Sequence, residues 1–378
     1  MKIGIVTWYK NYNYGGTLQA FALKTILESI GVEVEFINYD GEDSNMKKKT
    51  IRIFRNMAFS ILYPNRAATR RKMKKFIQMN IPETKHFNSF FDVDNYVDKE
   101  FDAVIAGSDQ IWNSIKGYNK FYYLDFSSDV PKIAYAPSME KIDESKKEFW
   151  EAVVFSLNKY SALSVRESVI KEFLESNLKK EVKVVVDPTL LLNCKEWFNA
   201  LDVKDCNCSK SIFANEEYIC VYMITYNEEY FNQINIFAKK NNLKVLYLAS
   251  SKSIKKIQGW IYPRTGVGVE EFLDVIHNAK YFFTDSYHGT LFGLQLSKKM
   301  LILKRFKDSD PKNQNSRLLQ ILNLYNIKNI YVDEYNIKKV INNIPDVDYS
   351  QVHKEIDIQR KESILWLLNN IETLKKRI

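Results

Sequence analysis

The feature that most restricts the fold is an alternation of short apolar, β-branched runs with longer amphipathic ones, repeated along the chain and broken once near its middle. KIGIVTW reads as a strand, NYNYGG as a turn, TLQAFALKTILESIG as a helix stopped by Gly31, and VEVEFINYD as a second strand. FDAVIAGSD, KIAYAPS and VKVVVD follow as strands, with ESKKEFWEAVVFSL and ESVIKEFLESNLKK as helices among them. Repeated strand-helix units predict a mostly parallel sheet covered on both faces. Around CKEWFNALDVKDCNCSKSIFANEE the pattern lapses into polar, cysteine-containing sequence. It restarts with YICVYMITY and continues through LKVLYLAS, EEFLDVIHNA, KYFFTD and GTLFGLQLS to KMLILKRF.

Two doubly wound α/β domains are therefore expected, which suits a chain of 378 residues. The first spans 1–200 and carries a basic helical insertion at 45–80; 201–217 is a linker, and 218–345 is the second domain. Residues 346–378 form a charged amphipathic helix that would return to brace the first domain. Domains of this kind face one another across a cleft lined by the carboxyl ends of their strands, the arrangement of a transferase with two substrates.

With 46% hydrophobic residues the chain can build real cores, and no apolar run approaches the ~20 residues of a spanning helix. The start of the chain reads as a strand and not as a leader. A cytoplasmic protein with reduced thiols is expected; Cys194, Cys206, Cys208 and Cys220 match no zinc or redox spacing, and no metal is expected. Charge is unevenly placed. Eleven of the 55 Lys and Arg lie between Lys47 and Lys75, where no acid occurs, leaving 44 elsewhere against 46 acids. That segment reads either as a solvated helix pair or as a surface for an anionic membrane at the inner face, or for a phosphorylated, lipid-linked ligand. No nucleic-acid motif accompanies it.

Five motifs stand at strand ends. In NYNYGGTLQA, Gly15 and Gly16 allow close backbone approach at a helix start, beside Asn13, although the spacing is not that of a dinucleotide fingerprint. AGSDQIWN gathers Ser108, Asp109, Gln110, Trp112 and Asn113, a set suited to sugar hydroxyls and a sugar face, or equally to a capped helix start with a packed tryptophan. LSVRES offers Arg166, able to hold a carboxylate or phosphate, and VVVDPTLLL places Asp187 at a structural turn. TDSYHGTLFG contains His288, which is either a structural turn residue or an acid-base group, with Asp285 to orient it or act as a neighbouring base, and Ser286, Gly289 and Thr290 at a helix start that favours anions. Lys304, Arg305 and Arg317 add positive charge nearby.

Taken together, NYGGTLQAFAL, GSDQIWN, IAYAPS, LSVRES, VVDPTLLL and TDSYHGTLFG resemble the polysaccharide pyruvyl transferase family, from Met1 to about Tyr325. The resemblance implies two Rossmann-like domains of the glycosyltransferase type B kind. It implies transfer of pyruvate from phosphoenolpyruvate to a sugar of a surface polysaccharide, or of its lipid-linked precursor, as a ketal, with no other cofactor. His288 matches the family's motif histidine and Arg166 its arginine. Ser286 stands where many members carry arginine, and Lys304, Arg305 or Arg264 would replace that charge. The expected catalytic groups are His288, Arg166 and Asp285. The donor would meet Arg166, Ser286, His288, Gly289, Thr290, Lys304 and Arg305; the acceptor would meet Asn13, Gly15, Gly16, Ser108, Asp109, Gln110, Trp112 and Asn113.

Two other readings compete. A glycosyltransferase using a nucleotide sugar would need a ribose-binding carboxylate, for which Glu270 and Glu271 are candidates. A non-catalytic sugar-binding protein of an assembly complex would keep its role without His288.

Overall fold

A computed structural model describes residues 1–39, 41, 59–139, 142–203, 208–213, 216–249, 257–310 and 313–376. Lys47 to Arg55 of the basic segment lie outside these residues, as do Cys206 and Asn207. The chain divides into two compact units. Unit 1 comprises Met1–Phe59, Lys75–Leu191 and Ile358–Ile378; unit 2 comprises Ser60–Lys74 and Leu192–Asp357.

Unit 1 contains a six-stranded sheet of β1 (Lys2–Val6), β2 (Glu33–Phe36), β3 (Ala103–Ala106), β4 (Lys132–Ala134), β5 (Ala162–Val165) and β6 (Val182–Val184) in the order β2-β1-β3-β4-β5-β6. Every pairing is parallel, as in Ile3 opposite Val34 on one side and Ala103 on the other. The strands are short and apolar because helices cover both faces. β3 (AVIA) is buried throughout, and Val104 and Ala106 join Trp112, Tyr123, Phe126 and Val153 in one core.

Unit 2 contains β7 (Tyr218–Met223), β8 (Lys244–Ala249), β9 (Trp260–Ile261), β10 (Tyr281–Thr284), β11 (Met300–Leu303) and β12 (Tyr331–Val332) in the order β12-β11-β10-β7-β8-β9, again all parallel. Numbered within the unit this is the 3-2-1-4-5-6 order of a dinucleotide-type sheet.

The division falls between Leu191 and Leu192, upstream of the expected linker. Asn193 and Glu196 form a reciprocal cap that starts helix Cys194–Ala200, and Trp197 of that helix packs edge-on to Phe292, 5.5 Å between ring centroids. Within 201–217 a second helix, Cys208–Phe213, is tied to unit 2 by Ser209 N donating to Asp274 Oδ2 at 2.7 Å and by Phe213 stacked on Tyr218. Polar composition there hides two buried aromatic anchors.

Two helices are shared between the units. Helix Pro64–Asn80 belongs to unit 2 as far as Lys74 and to unit 1 from Lys75, where Phe76 packs on Phe21. Helix Tyr349–Lys375 belongs to unit 2 as far as Asp357, with His353 bonded to Leu294 O, and to unit 1 from Ile358, where Ser363 Oγ accepts from Val186 N and Trp366 lies 6.4 Å from Tyr135. Among the described residues no helix is long and apolar enough to cross a membrane.

Candidate functional site

In a doubly wound sheet, neighbouring strands whose connections leave in opposite directions open a crevice at their carboxyl ends. That switch falls between β1 and β3 in unit 1 and between β7 and β10 in unit 2. The glycine turn and GSDQ follow the first pair; TDSYHG follows the second.

In unit 1, Asn13 caps helix Tyr14–Ser29 by accepting from Gly15 N at 3.0 Å. A Cβ on Gly16 would stand 3.0 Å from Trp8 O and 3.6 Å from Asp109 Oδ2, so the two motifs meet here in a tight approach that glycine eases. Asp109 holds φ at +71°, a region that aspartate enters more readily than most side chains, with Ser138 N donating to Asp109 O at 2.8 Å. Gln110 N donates to the Asp109 carboxylate, and Asn113 caps the short turn Ser114–Lys116. Trp112 takes another path. It is fully buried, stacked on Tyr123 with Nε1 donating to Tyr122 O, so it is a core residue with no face for a sugar.

Ser108 and Arg166 belong to a buried polar chain below this surface. Gln19 Nε2 donates to Thr7 Oγ1, Thr7 Oγ1 to Ser108 O, and Ser108 Oγ to Asp187 Oδ2. Arg166 Nη1 donates to the same Asp187 oxygen at 2.6 Å and its Nε to Glu167 Oε1 at 3.2 Å, where Ser138 Oγ also donates. The Arg166 side chain is only 3% exposed. Two carboxylates, those of Asp187 and Glu167, neutralise it. Asp187, taken from sequence as a turn, is in fact the hub: it also accepts from Thr189 N and Oγ1.

In unit 2, Asp285 directly follows β10 and is buried. Its Oδ1 accepts from Ile224 N at 2.6 Å and its Oδ2 from Thr225 N at 2.9 Å, which ties the end of β10 to the end of β7. Burial pushes its pKa up to about 6 against the opposing pull of those N–H groups and of Arg305. The carboxylate therefore holds the loop after β7.

Ser286 caps helix Tyr287–Gln295, its Oγ accepting from Gly289 N at 3.2 Å, while its carbonyl accepts from Thr290 N and Oγ1. Gly289 is required by packing: a Cβ would stand 2.4 Å from Thr284 Oγ1 and 3.0 Å from the Tyr222 ring. His288 is nearly buried, its ring perpendicular to that of Tyr287, and the Arg317 guanidinium lies 5.5 Å from the Tyr287 centroid. Lys304 turns to Asp308, Nζ to Oδ2 2.7 Å, away from an expected donor contact. Arg305 stays. Its Nε donates to Thr225 Oγ1 at 2.9 Å, its guanidinium rests 4.8 Å from the Phe306 ring, and its two terminal nitrogens have no partner among the described residues.

Thr225 and Tyr222 are the contributions that sequence reading missed. Both lie at the end of YICVYMITY, where the strand-end rule applied to His288 would have found them. Glu271, the candidate ribose partner, is used otherwise: it pairs with Lys72 at 2.5 Å and accepts from Gly268 N. Among the described residues no group of His, Cys, Asp or Glu could hold a metal ion.

A family model described as polysaccharide pyruvyl transferase matches residues 13–305. The chain belongs to this family. The matched stretch runs from the Asn13 cap to Arg305 and so includes the glycine turn, GSDQ and the β7–β10 switch point. No curated protein matches the chain.

Solved structures similar to this pyruvyl transferase family member share its fold at low identity. The UDP-GlcNAc 2-epimerase from Neisseria meningitidis bound to UDP-GlcNAc is 10% identical with TM-score 0.55, covering 99% of this chain and 100% of its own. The MnaA–UDP structure from S. aureus is 12% identical with TM-score 0.58, covering 100% and 97%. A UDP-N-acetylglucosamine 2-epimerase from Rickettsia bellii is 9% identical with TM-score 0.55, covering 100% and 98%. These likenesses establish the two-domain α/β fold of glycosyltransferase B type.

Proposed function

We propose that this protein transfers the pyruvyl group of phosphoenolpyruvate to two hydroxyls of one sugar in a surface polysaccharide or its lipid-linked precursor, with the donor held in unit 2. The observation that carries this reading is Arg305, a cation fixed at the β7–β10 switch point by Thr225 with its terminal nitrogens unengaged by described residues. A guanidinium can grip a carboxylate or phosphate through two parallel bonds, and this one supplies the positive charge that Ser286 does not. The start of helix Tyr287–Gln295 adds a partial positive charge beside it.

The chemistry needs a proton delivered to the donor's methylene carbon. C2 then gains cationic character and forms a bond to the oxygen of one sugar hydroxyl, which gives up its proton. The C2–O bond to phosphate breaks with its electron pair leaving on phosphate, and a second hydroxyl, losing its proton in turn, closes the ketal. His288 is the group in unit 2 suited to carry a proton or to steady the departing phosphate. The acceptor reading draws support from Asn13, Gly16, Asp109 and Gln110, gathered at the β1–β3 switch point of unit 1.

Thermal unfolding with phosphoenolpyruvate, and separately with UDP-GlcNAc, tests the donor. At about 100 times its dissociation constant a true donor adds about 2.7 kcal/mol of stability. The expected result is a shift with phosphoenolpyruvate that Arg305→Gln abolishes. A shift with UDP-GlcNAc alone would replace this reading with that of a glycosyltransferase.

A further inference from the structure

Another cation of unit 2 stands at a place that the donor reading does not use. Arg66, on helix Pro64–Asn80, is about half-buried, and among the described residues it meets no carboxylate. Its guanidinium carbon lies 5.2 Å from the Tyr63 ring, and its Nη1 is buried without a hydrogen-bond partner. Desolvation lowers its pKa, Tyr247 and Tyr63 pull the other way, and Arg70 lowers it further. The Tyr247 hydroxyl is likewise buried and unsatisfied. Groups of this kind cost free energy unless something completes them.

Next to Arg66 is a groove of about 740 Å³ lined by Pro64, Asn65, Ile257, Gln258, Trp260, Tyr262 and Arg264. It joins the Arg66 region through an aromatic chain. Tyr262 packs edge-on to Tyr247 at 5.8 Å, and Tyr247 is 5.9 Å from Trp260. Trp260 is stacked on Phe231 and anchored by Nε1 to Asn235 Oδ1, while Asn65 Nδ2 donates to Tyr262 O, so the walls are set before any ligand arrives. The whole is braced against helix Pro64–Asn80: Val267 N donates to Thr69 Oγ1 and Lys72 Nζ to Gly266 O.

The geometry points to a binding site for a phosphate-bearing ligand in this groove, with the phosphate at Arg264, Arg66 as a second cation on the helix turn that follows Pro64 and Asn65, and an apolar or ring portion against Trp260 and Tyr262. Two guanidiniums suit a phosphate or diphosphate, and the amides of Asn65 and Gln258 suit its oxygens or an attached sugar. Ile61 and Leu62, exposed just before Pro64, give a reason to test a lipid-borne phosphate as well as a soluble one.

The test uses the full chain carrying Arg305→Gln, so that the donor-site arginine makes no contribution. Calorimetric titration with inorganic pyrophosphate probes the soluble source, and co-sedimentation with phosphatidylcholine vesicles containing phosphatidate probes the lipid-borne one. Adding Arg66→Gln is expected to weaken one of these events about tenfold or more, with Arg264→Gln acting in the same direction. Loss in the pyrophosphate arm assigns a free or nucleotide-type phosphate, and loss in the vesicle arm alone assigns a lipid phosphate. Since Arg66 makes no ion pair among the described residues and gives up only its contact with the Tyr63 ring, its variant should stay close to the parent's unfolding midpoint, which guards against a folding artefact. Absence of both events, or binding equal in all variants, overturns the proposal. Phosphoenolpyruvate binding by the protein with Arg305 intact is measured separately, so failure of the donor reading is seen apart from failure here.

Discussion

Arg166 and Asp187 are joined by a 2.6 Å bond between two side chains that are both essentially out of water. Removing one partner of such a pair leaves an uncompensated buried charge, at a cost of about 3–5 kcal/mol. Arg166→Ala should therefore lower the urea midpoint sharply. Arg166→Met combined with Asp187→Asn should recover part of the loss, because the amide removes the orphaned charge while its oxygen still accepts from Thr189. Were Arg166 instead a donor contact, the single variant would keep its midpoint and lose only phosphoenolpyruvate affinity.

Asp285 gives the protein a pH dependence of definite sign. Its folded pKa, about 6, lies above the ordinary 3.8, so the folded state holds a proton that the unfolded state has released. The contribution is fully present below about pH 4 and is lost as pH rises through 6. Denaturation of wild type and Asp285→Asn at pH 4.5 and 7.5 should show wild type gaining on the variant at the lower pH, by on the order of 2 kcal/mol. A difference that does not change with pH would mean that Asp285 does not titrate in this window.

Gly266 has φ of +67°, and a Cβ there would stand 2.2 Å from Thr69 N and 2.7 Å from Ala68 C. Both neighbours are backbone, so no rotamer can give way. Gly266→Ala should cost about 2 kcal/mol or more and separate the loop after β9 from helix Pro64–Asn80. Calorimetric unfolding would register the loss, and an unchanged transition would show that the loop can move aside.

Trp112 distinguishes a packed core from a sugar platform. Trp112→Ala should destabilise the protein by about 3–5 kcal/mol, whatever sugar is present. A variant of unchanged stability with weakened acceptor binding would restore the sugar-platform reading.

What could be read from the sequence was position along a strand. The glycine pair, GSDQ and TDSYHG all fall where the alternating pattern ends, and a parallel sheet brings such ends to one edge. Which way a side chain turns there was not legible, because its partner is remote: Arg166 finds Asp187 21 positions on, and Asp285 finds Ile224 61 positions back. A guanidinium after an apolar run looks the same whether it meets a ligand or a buried carboxylate. β9 and β12 escaped for a different reason: each has two residues, too few to show a period. Arg66 was visible only as one charge in a basic run; that it meets no acid among the described residues became apparent once the helix was seen against Tyr247 and the groove.

The sharing of helices Pro64–Asn80 and Tyr349–Lys375 has a consequence for the order of assembly. Unit 1 takes its closing segment, Ile358–Ile378, from beyond the entire sequence of unit 2. On a ribosome, the strands of the first sheet therefore emerge long before Ser363 can accept from Val186 N or Arg360 Nε can reach Leu190 O. The half made first is finished last, and a chain stalled near Asp357 would leave those groups of unit 1 without their partners while every residue assigned to unit 2 had already been made.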